Sequence, residues 1–335
     1  MARQSLAVKY RPKTWDDVVE QSSAVAILKN QLETGEIKHA YLFCGGAGTG
    51  KTTCARIFAN EINQHKGNPI ELDAASNNSV DDVRTIIQQS KVQSIDSEYR
   101  IFIIDECHAL SNSAWQAFLK VLEEPPKKAI FIFCTTDPNR IPNTILSRVQ
   151  RYDFQRISQQ GIINRLCNVM ADEHLPEPDM EAIDYIAKLA DGGMRDALTM
   201  LDKCLAFTEE LQISDVVKVL GVVDYSVMFD LTDAVVNSDR AKVIDIIETI
   251  HADGKDLKLF TREYLNFMLD VVKYDITQSP KYLQLPATYI SNLKDRDAQW
   301  YSRCQKLLDV VLQLVNEVKW DSTPKMLIES RLLLF

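Results

Sequence analysis

No stretch of the 335 residues is apolar for long enough to cross a bilayer, and the chain holds no low-complexity run and no polar tract. No membrane partner is expected. The opening MARQSLAVKYRPKTW lacks the apolar core of a secretory signal, which predicts a cytoplasmic protein. No CxxC pair and no cysteine–histidine cluster occurs, since the cysteines stand singly at 44, 54, 107, 134, 167, 204 and 304. Buried, reduced thiols are expected, with no zinc site or disulfide framework. An excess of positive charge is missing too. Lys and Arg number 38 against 47 Asp and Glu, a net charge of −9. That argues against a broad basic face coated in nucleic acid, while leaving room for a local basic stripe.

What is present is a folded chain of 46% hydrophobic and 25% charged residues, long enough for two or three domains. Between residues 40 and 155, short β-rich runs (AYLFC, PIELDA, RIFIID, KAIFIFCTT) alternate with helical periodicity over 51–63, 79–91 and 111–124. This pattern predicts a parallel sheet with helices on both faces. Ser111 or Asn112 is the expected N-cap of the third helix, and EEPP its end. After Phe154 the spacing is helical throughout. Segments 159–174, 178–191 and 193–207 suggest a small helical lid, and the amphipathic stretches from residue 211 onward an all-helical last domain. The expected boundaries are 1–156, 157–210 and 211–335.

Gly45 and Gly50 enclose four residues and are followed by Lys51 and Thr52, the spacing of a P-loop. Bare backbone there lets successive N–H groups turn inward around phosphate oxygens, Lys51 reaches the β- and γ-phosphates, and the Thr52 hydroxyl can hold Mg²⁺. The loop (Gly45, Gly46, Ala47, Gly48, Thr49, Gly50, Lys51, Thr52, Thr53) follows an apolar strand and opens a helix, the context such a site requires. IFIIDECH then places Asp105 and Glu106 at a strand end. Asp105 can bind Mg²⁺ through water, and Glu106 can orient an attacking water. His108 reads as a satisfied polar residue.

With these residues placed, the chain resembles the AAA+ ATPases, and among them the gamma/tau ATPase subunits of the bacterial DNA polymerase III sliding-clamp loader. The resemblance rests on YRPKTWDDVVEQ (10–21), HAYLFCGGAGTGKT (39–52), IELDAAS (70–76), IIDECHALSNSAWQAFLKVLEEPP (103–126), TTDPNRIPNTILSR (135–148) and GGMRDAL (192–198). It implies an α/β P-loop AAA+ domain, a lid and a collar that builds a pentameric ring with other loader subunits. It also implies ATP and Mg²⁺ as ligands, and a sliding clamp and primer–template DNA as partners. By matched position Thr136 is similar to the first sensor, Arg195 to the second, and Arg148 to the arginine finger that enters a neighbour's site, an effect worth ~10³ or more in rate. Val8, Tyr10, Arg11, Pro12, Val18 and Val19 match the segment that packs around adenine. Arg84 and the amides near Asn78 and Ser79 become candidate contacts to DNA phosphates.

Read from residue type alone, Thr136 caps the turn before Pro138, Arg195 pairs with Asp196 or Glu181, Arg148 joins a surface ion pair and Arg84 is a solvated charge. The four-cysteine zinc module of many relatives is replaced here by NQHKGNP (63–69), so no zinc is expected. Val149 stands for the Cys of the family's SRC, and Glu20 for the Gly of its VGQ. The chain stops where the collar stops, which predicts a compact or gamma-like form. Rival readings are a DExH-type helicase, a branch-migration motor, and a nucleotide-binding scaffold without turnover. The first needs a second α/β half where only helical spacing is found. The second calls for a basic recognition helix, which is not evident near the C-terminus. The third would be expected to lack Lys51, Glu106 or the finger.

Overall fold

Each of the central strands alternates two apolar sets, one for each face of a sheet. In β1 (Ala40–Gly45), Tyr41 and Phe43 point to one side, and Leu42 and Cys44 to the other. β3 (Arg100–Asp105) splits Ile101 and Ile103 from Phe102 and Ile104, and β4 (Ala129–Thr135) splits Ile130, Ile132 and Cys134 from Phe131 and Phe133. Both faces are covered, so these strands read as unbroken apolar runs. The computed structural model describes residues 4–335.

The strand order is β2-β3-β4-β1-β5, with every neighbouring pair parallel. β2 (Ile70–Asp73) and β5 (Gln150–Phe154) form the edges. β5 is an addition to the four expected runs. Only Tyr152 and Phe154 of QRYDF are buried, while Arg151 and Asp153 face outward, so it has no apolar run to announce it. The helices Ser22–Thr34 and Lys51–Ile62 cover one face through Leu28, Cys54 and Phe58. Val80–Ser90 and Asn112–Glu123 cover the other through Val83, Ile86, Trp115 and Phe118. Ser111 caps the last of these, its hydroxyl accepting from the Ala114 amide at 3.2 Å.

The chain resolves into two bodies, one made of residues up to Pro176 with Ile186–Asp202, the other of Glu177–Tyr185 with Lys203–Phe335. Segment 157–210 is thus shared between them. Within the second body, the helices Tyr225–Val236, Arg240–Ala252, Leu257–Thr277, Ala298–Val318 and Pro324–Leu333 close around one core. Phe260, Tyr264, Phe267, Val271 and Tyr274 recur at helical spacing and meet Cys304, Leu307, Val311, Leu314 and Val318. Asp270, buried in that core, accepts the amides of Gln284 and Leu285 at 2.6 and 2.7 Å and the Lys273 ammonium at 3.1 Å. Arg296 grips Asp233 with two bonds of 2.8 Å. Among the described residues no helix is long and apolar enough to cross a membrane.

Candidate active site

The parallel sheet brings the C-terminal ends of β1, β3 and β4 to one edge, and the chemistry-bearing residues gather there. β1 runs out at Gly45, where φ is +154° and an added Cβ would stand 2.4 Å from the Phe154 carbonyl oxygen, so a side chain cannot be accepted. Gly48, at φ +69°, has room for a Cβ only 3.0 Å from the Gly193 Cα. Its carbonyl accepts the Met194 amide at 3.1 Å. The loop is thereby moulded between the sheet and the start of the helix Met194–Leu205.

Lys51 opens the helix Lys51–Ile62 with only 5% of its surface exposed. Its ammonium donates to the Gly45 and Gly46 carbonyls at 2.9 and 2.7 Å. Burial draws its pKa down, opposed chiefly by the negative field of Glu106. The Thr49 hydroxyl ties the loop to the Gly46 carbonyl at 2.9 Å. Next along the helix, Thr52 Oγ1 donates to Asp105 Oδ2 at 2.8 Å, joining two hard oxygens at the foot of the loop. Mg²⁺ takes one or two protein oxygens and keeps several waters, so this pair fits it.

The Glu106 amide donates to Asp105 Oδ1 at 3.0 Å, and its backbone lies in the left-handed region at φ +46°. Its carboxylate accepts the Thr136 hydroxyl at 3.0 Å, and His108 Nδ1 lies 3.3 Å from the same oxygen. Asp105 and Glu106 border a cavity of about 620 Å³, within the range of small-molecule sites. Its walls are the loop from Ala47 to Thr53, the carboxylates of Asp105 and Glu106, Arg195, and an apolar side of Ala7, Pro12, Val18, Val19, Ile157 and Leu198, with Tyr10 and Arg11 beside them. Tyr10 donates to Glu173 at 2.7 Å, and burial together with that carboxylate pushes its phenol up to about 12.

The predicted set is therefore largely brought together, with displacements. Val8 is 47% exposed and does not border the cavity; its neighbour Ala7 does. Gly45 and Gly46 meet Lys51 instead of forming wall, and Thr136 stands behind Glu106. Glu20 does not border the cavity either, its carboxylate accepting the amide of Ser158 at 2.9 Å. Arg148 lies outside the cavity, bonded to Glu123 at 2.7 Å and to the Thr144 carbonyl at 2.7 Å. Arg84 is exposed and paired with Asp81 at 3.0 Å. The Ser79 amide is donated to Asp82 in a capping box, and the Asn78 carbonyl accepts from Ser111.

Five charged wall residues were not among the expected site residues: Arg56, Glu71, Asp73, Arg165 and Asp196. Arg56 holds Glu71 through two bonds and lies one helical turn beyond Thr52, a signal that local spacing carried. Arg165 reaches the Tyr10 carbonyl at 3.1 Å across 155 residues, which no local pattern reveals.

Comparison with known proteins matches the family described as DNA polymerase III, delta subunit, over residues 20–78 and 69–158. The clamp loader ATPase lid domain matches 161–210, and domain III of the gamma and tau subunits 211–333. Subunit tau of DNA polymerase III from Bacillus subtilis is 33% identical over 352 residues, covering 98% of this chain and 62% of that protein. Tau of Escherichia coli K12 is 32% identical over 290 residues, covering 80% of this chain and 45% of that protein. The chain thus spans about half the length of these relatives. A structure of the RuvB Holliday junction branch migration motor of Thermotoga maritima superposes with a TM-score of 0.53 at 19% identity, covering 68% of this chain and 79% of that one, a likeness of fold alone. With three adjoining family matches from residue 20 to 333 and these identities, the chain belongs to the gamma/tau family of bacterial DNA polymerase III clamp-loader subunits.

Proposed function

We propose that this chain is an ATPase subunit of a sliding-clamp loader, in which ATP binding and hydrolysis drive the opening of a ring-shaped clamp and its placement on primer–template DNA. One observation carries the reading: the loop lysine, the Thr52–Asp105 oxygen pair and Glu106 converge on one cavity that apolar residues also line. ATP suits both kinds of lining, its phosphates against the loop and its base against the apolar residues.

When bound, Mg²⁺ supplies Lewis-acid neutralisation of the phosphate oxygens, and Thr52 and Asp105 would hold it. Lys51 faces the β- and γ-phosphates and Arg195 reaches them from the lid side. Glu106 accepts a proton from water as the water oxygen bonds to the γ-phosphorus. The bond from that phosphorus to the bridging oxygen breaks, and its electron pair leaves on ADP. Arg148 of one subunit serves the site of the next, where its guanidinium neutralises charge on the phosphoryl group in flight. Residues 157–210 act as the lid and 211–335 as the collar that joins this chain to the other loader subunits.

DNA binding has local support. A groove between the helices Val80–Ser90 and Asn112–Glu123 carries Arg84, Lys91 and Lys120 along its border, cations suited to a phosphate backbone. The reading is tested by ATPase assays of the reconstituted loader. Clamp plus primed DNA should raise turnover several-fold, and a rate that ignores both would overturn it.

A further inference from the structure

We propose that His108 is a positioning residue for Glu106, pinning one carboxylate oxygen so that the other takes the proton of the attacking water; this rests on the ATPase reading above. The turn after β3 aims both side chains at the end of β4. His108 Nδ1 lies 3.3 Å from Glu106 Oε2 and 3.2 Å from Thr135 Oγ1. Thr136 donates to that same Oε2 at 3.0 Å. Two groups thus converge on Oε2, while no hydrogen bond reaches Oε1 among the described residues. A carboxylate oxygen only accepts, so the tautomer carrying hydrogen on Nδ1 is the one that serves it. The same ring nitrogen faces Thr135, so its one hydrogen is shared between the Thr135 hydroxyl oxygen and Glu106 Oε2. Thr135 is fully buried at the last position of β4, and its hydroxyl accepts the Asp137 amide at 3.0 Å.

Glu106 needs such a clasp because its own backbone does not bury it: the residue sits in a left-handed turn and lines the cavity. An unheld carboxylate there has several rotamers, and a misplacement of about 1 Å costs on the order of 100-fold in rate. Thr136 supplies one point of attachment. The imidazole supplies a second, rigid one, tied to a different residue of β4.

The test compares His108→Ala with His108→Asn, whose amide nitrogen can occupy the place of Nδ1. ATP turnover is measured in the full chain assembled with the remaining loader subunits, and affinity with a fluorescent ATP analogue. His108→Ala is expected to lower kcat by roughly 10- to 100-fold with affinity within about threefold of the parent, and His108→Asn to return most of the rate. Parental turnover in His108→Ala would overturn the inference. So would equal losses in both variants, or a loss of nucleotide affinity, which would mark the ring as packing alone. Glu106→Gln serves as the control: if its turnover persists, the ATPase reading of the site fails; if its turnover is lost while His108→Ala stays fast, only the positioning role fails.

Discussion

Lys51 is where side-chain chemistry and burial conflict most openly. An ammonium with 5% exposure is costly unless its donors are met, and here the Gly45 and Gly46 carbonyls meet two of them. Phosphate oxygens offer a stronger, charged alternative to those neutral partners. Lys51→Ala should therefore weaken ATP binding by about 100-fold or more, read by titration with a fluorescent ATP analogue, while the thermal midpoint of the empty protein changes little. Binding at parental strength would show that the ammonium does not meet the phosphates. A cluster of thiols lies close by but takes no part. Burial raises Cys44 to about 11, Cys54 to about 12 and Cys134 well above the ordinary thiol range, so all three stay protonated and unreactive.

The loop and the strand ends depend on backbone that only particular residues supply. Gly48→Ala would set a Cβ 3.0 Å from Gly193 at a φ that disfavours L side chains, pushing the loop off the Met194 helix. ATP affinity should fall about tenfold or more, with circular dichroism unchanged. In the second body, Asp270→Ala leaves the Gln284 and Leu285 amides buried without an acceptor, at a cost of about 2–4 kcal/mol measurable by urea denaturation. A loss under 1 kcal/mol would mean that water replaces the carboxylate. These elements also show what sequence could carry. The glycine–lysine loop and the Asp105–Glu106 strand end were legible because their spacing is local and their flanking runs are apolar. β5 was not, because an edge strand with Arg151 and Asp153 facing out has no run to read. Val8 is matched to the adenine wall by resemblance alone, whereas Ala7 lines the cavity, and the four-residue helix Leu6–Lys9 is too short for its own pattern to show which side faces inward. Arg165 was invisible for another reason: its place is set by tertiary packing of the first helix after β5.

For the whole molecule the question is what Arg148 does outside its own cavity. Its pairing with Glu123 is half-exposed, and such a pair is worth about 1 kcal/mol or less. A neighbour's triphosphate can therefore compete for the guanidinium at little cost. Arg148→Ala should leave ATP binding by the isolated chain unchanged and lower hydrolysis in the assembled loader by roughly 10³-fold. Unchanged hydrolysis in the assembly would reduce Arg148 to a surface ion pair. All the groups of the candidate site lie in the first of the two bodies, and the second is all-helical.

The central claim is that Lys51, Thr52 and Asp105 hold a magnesium-bound triphosphate while Glu106 activates water, and the Glu106→Gln chain separates these jobs. Magnesium-ATP binding and single-turnover hydrolysis are measured on that variant in the assembled loader. The expected result is binding within about threefold of the parent and hydrolysis slower by roughly 100-fold or more. Hydrolysis at the parental rate, or nucleotide binding lost with the carboxylate, would contradict the account.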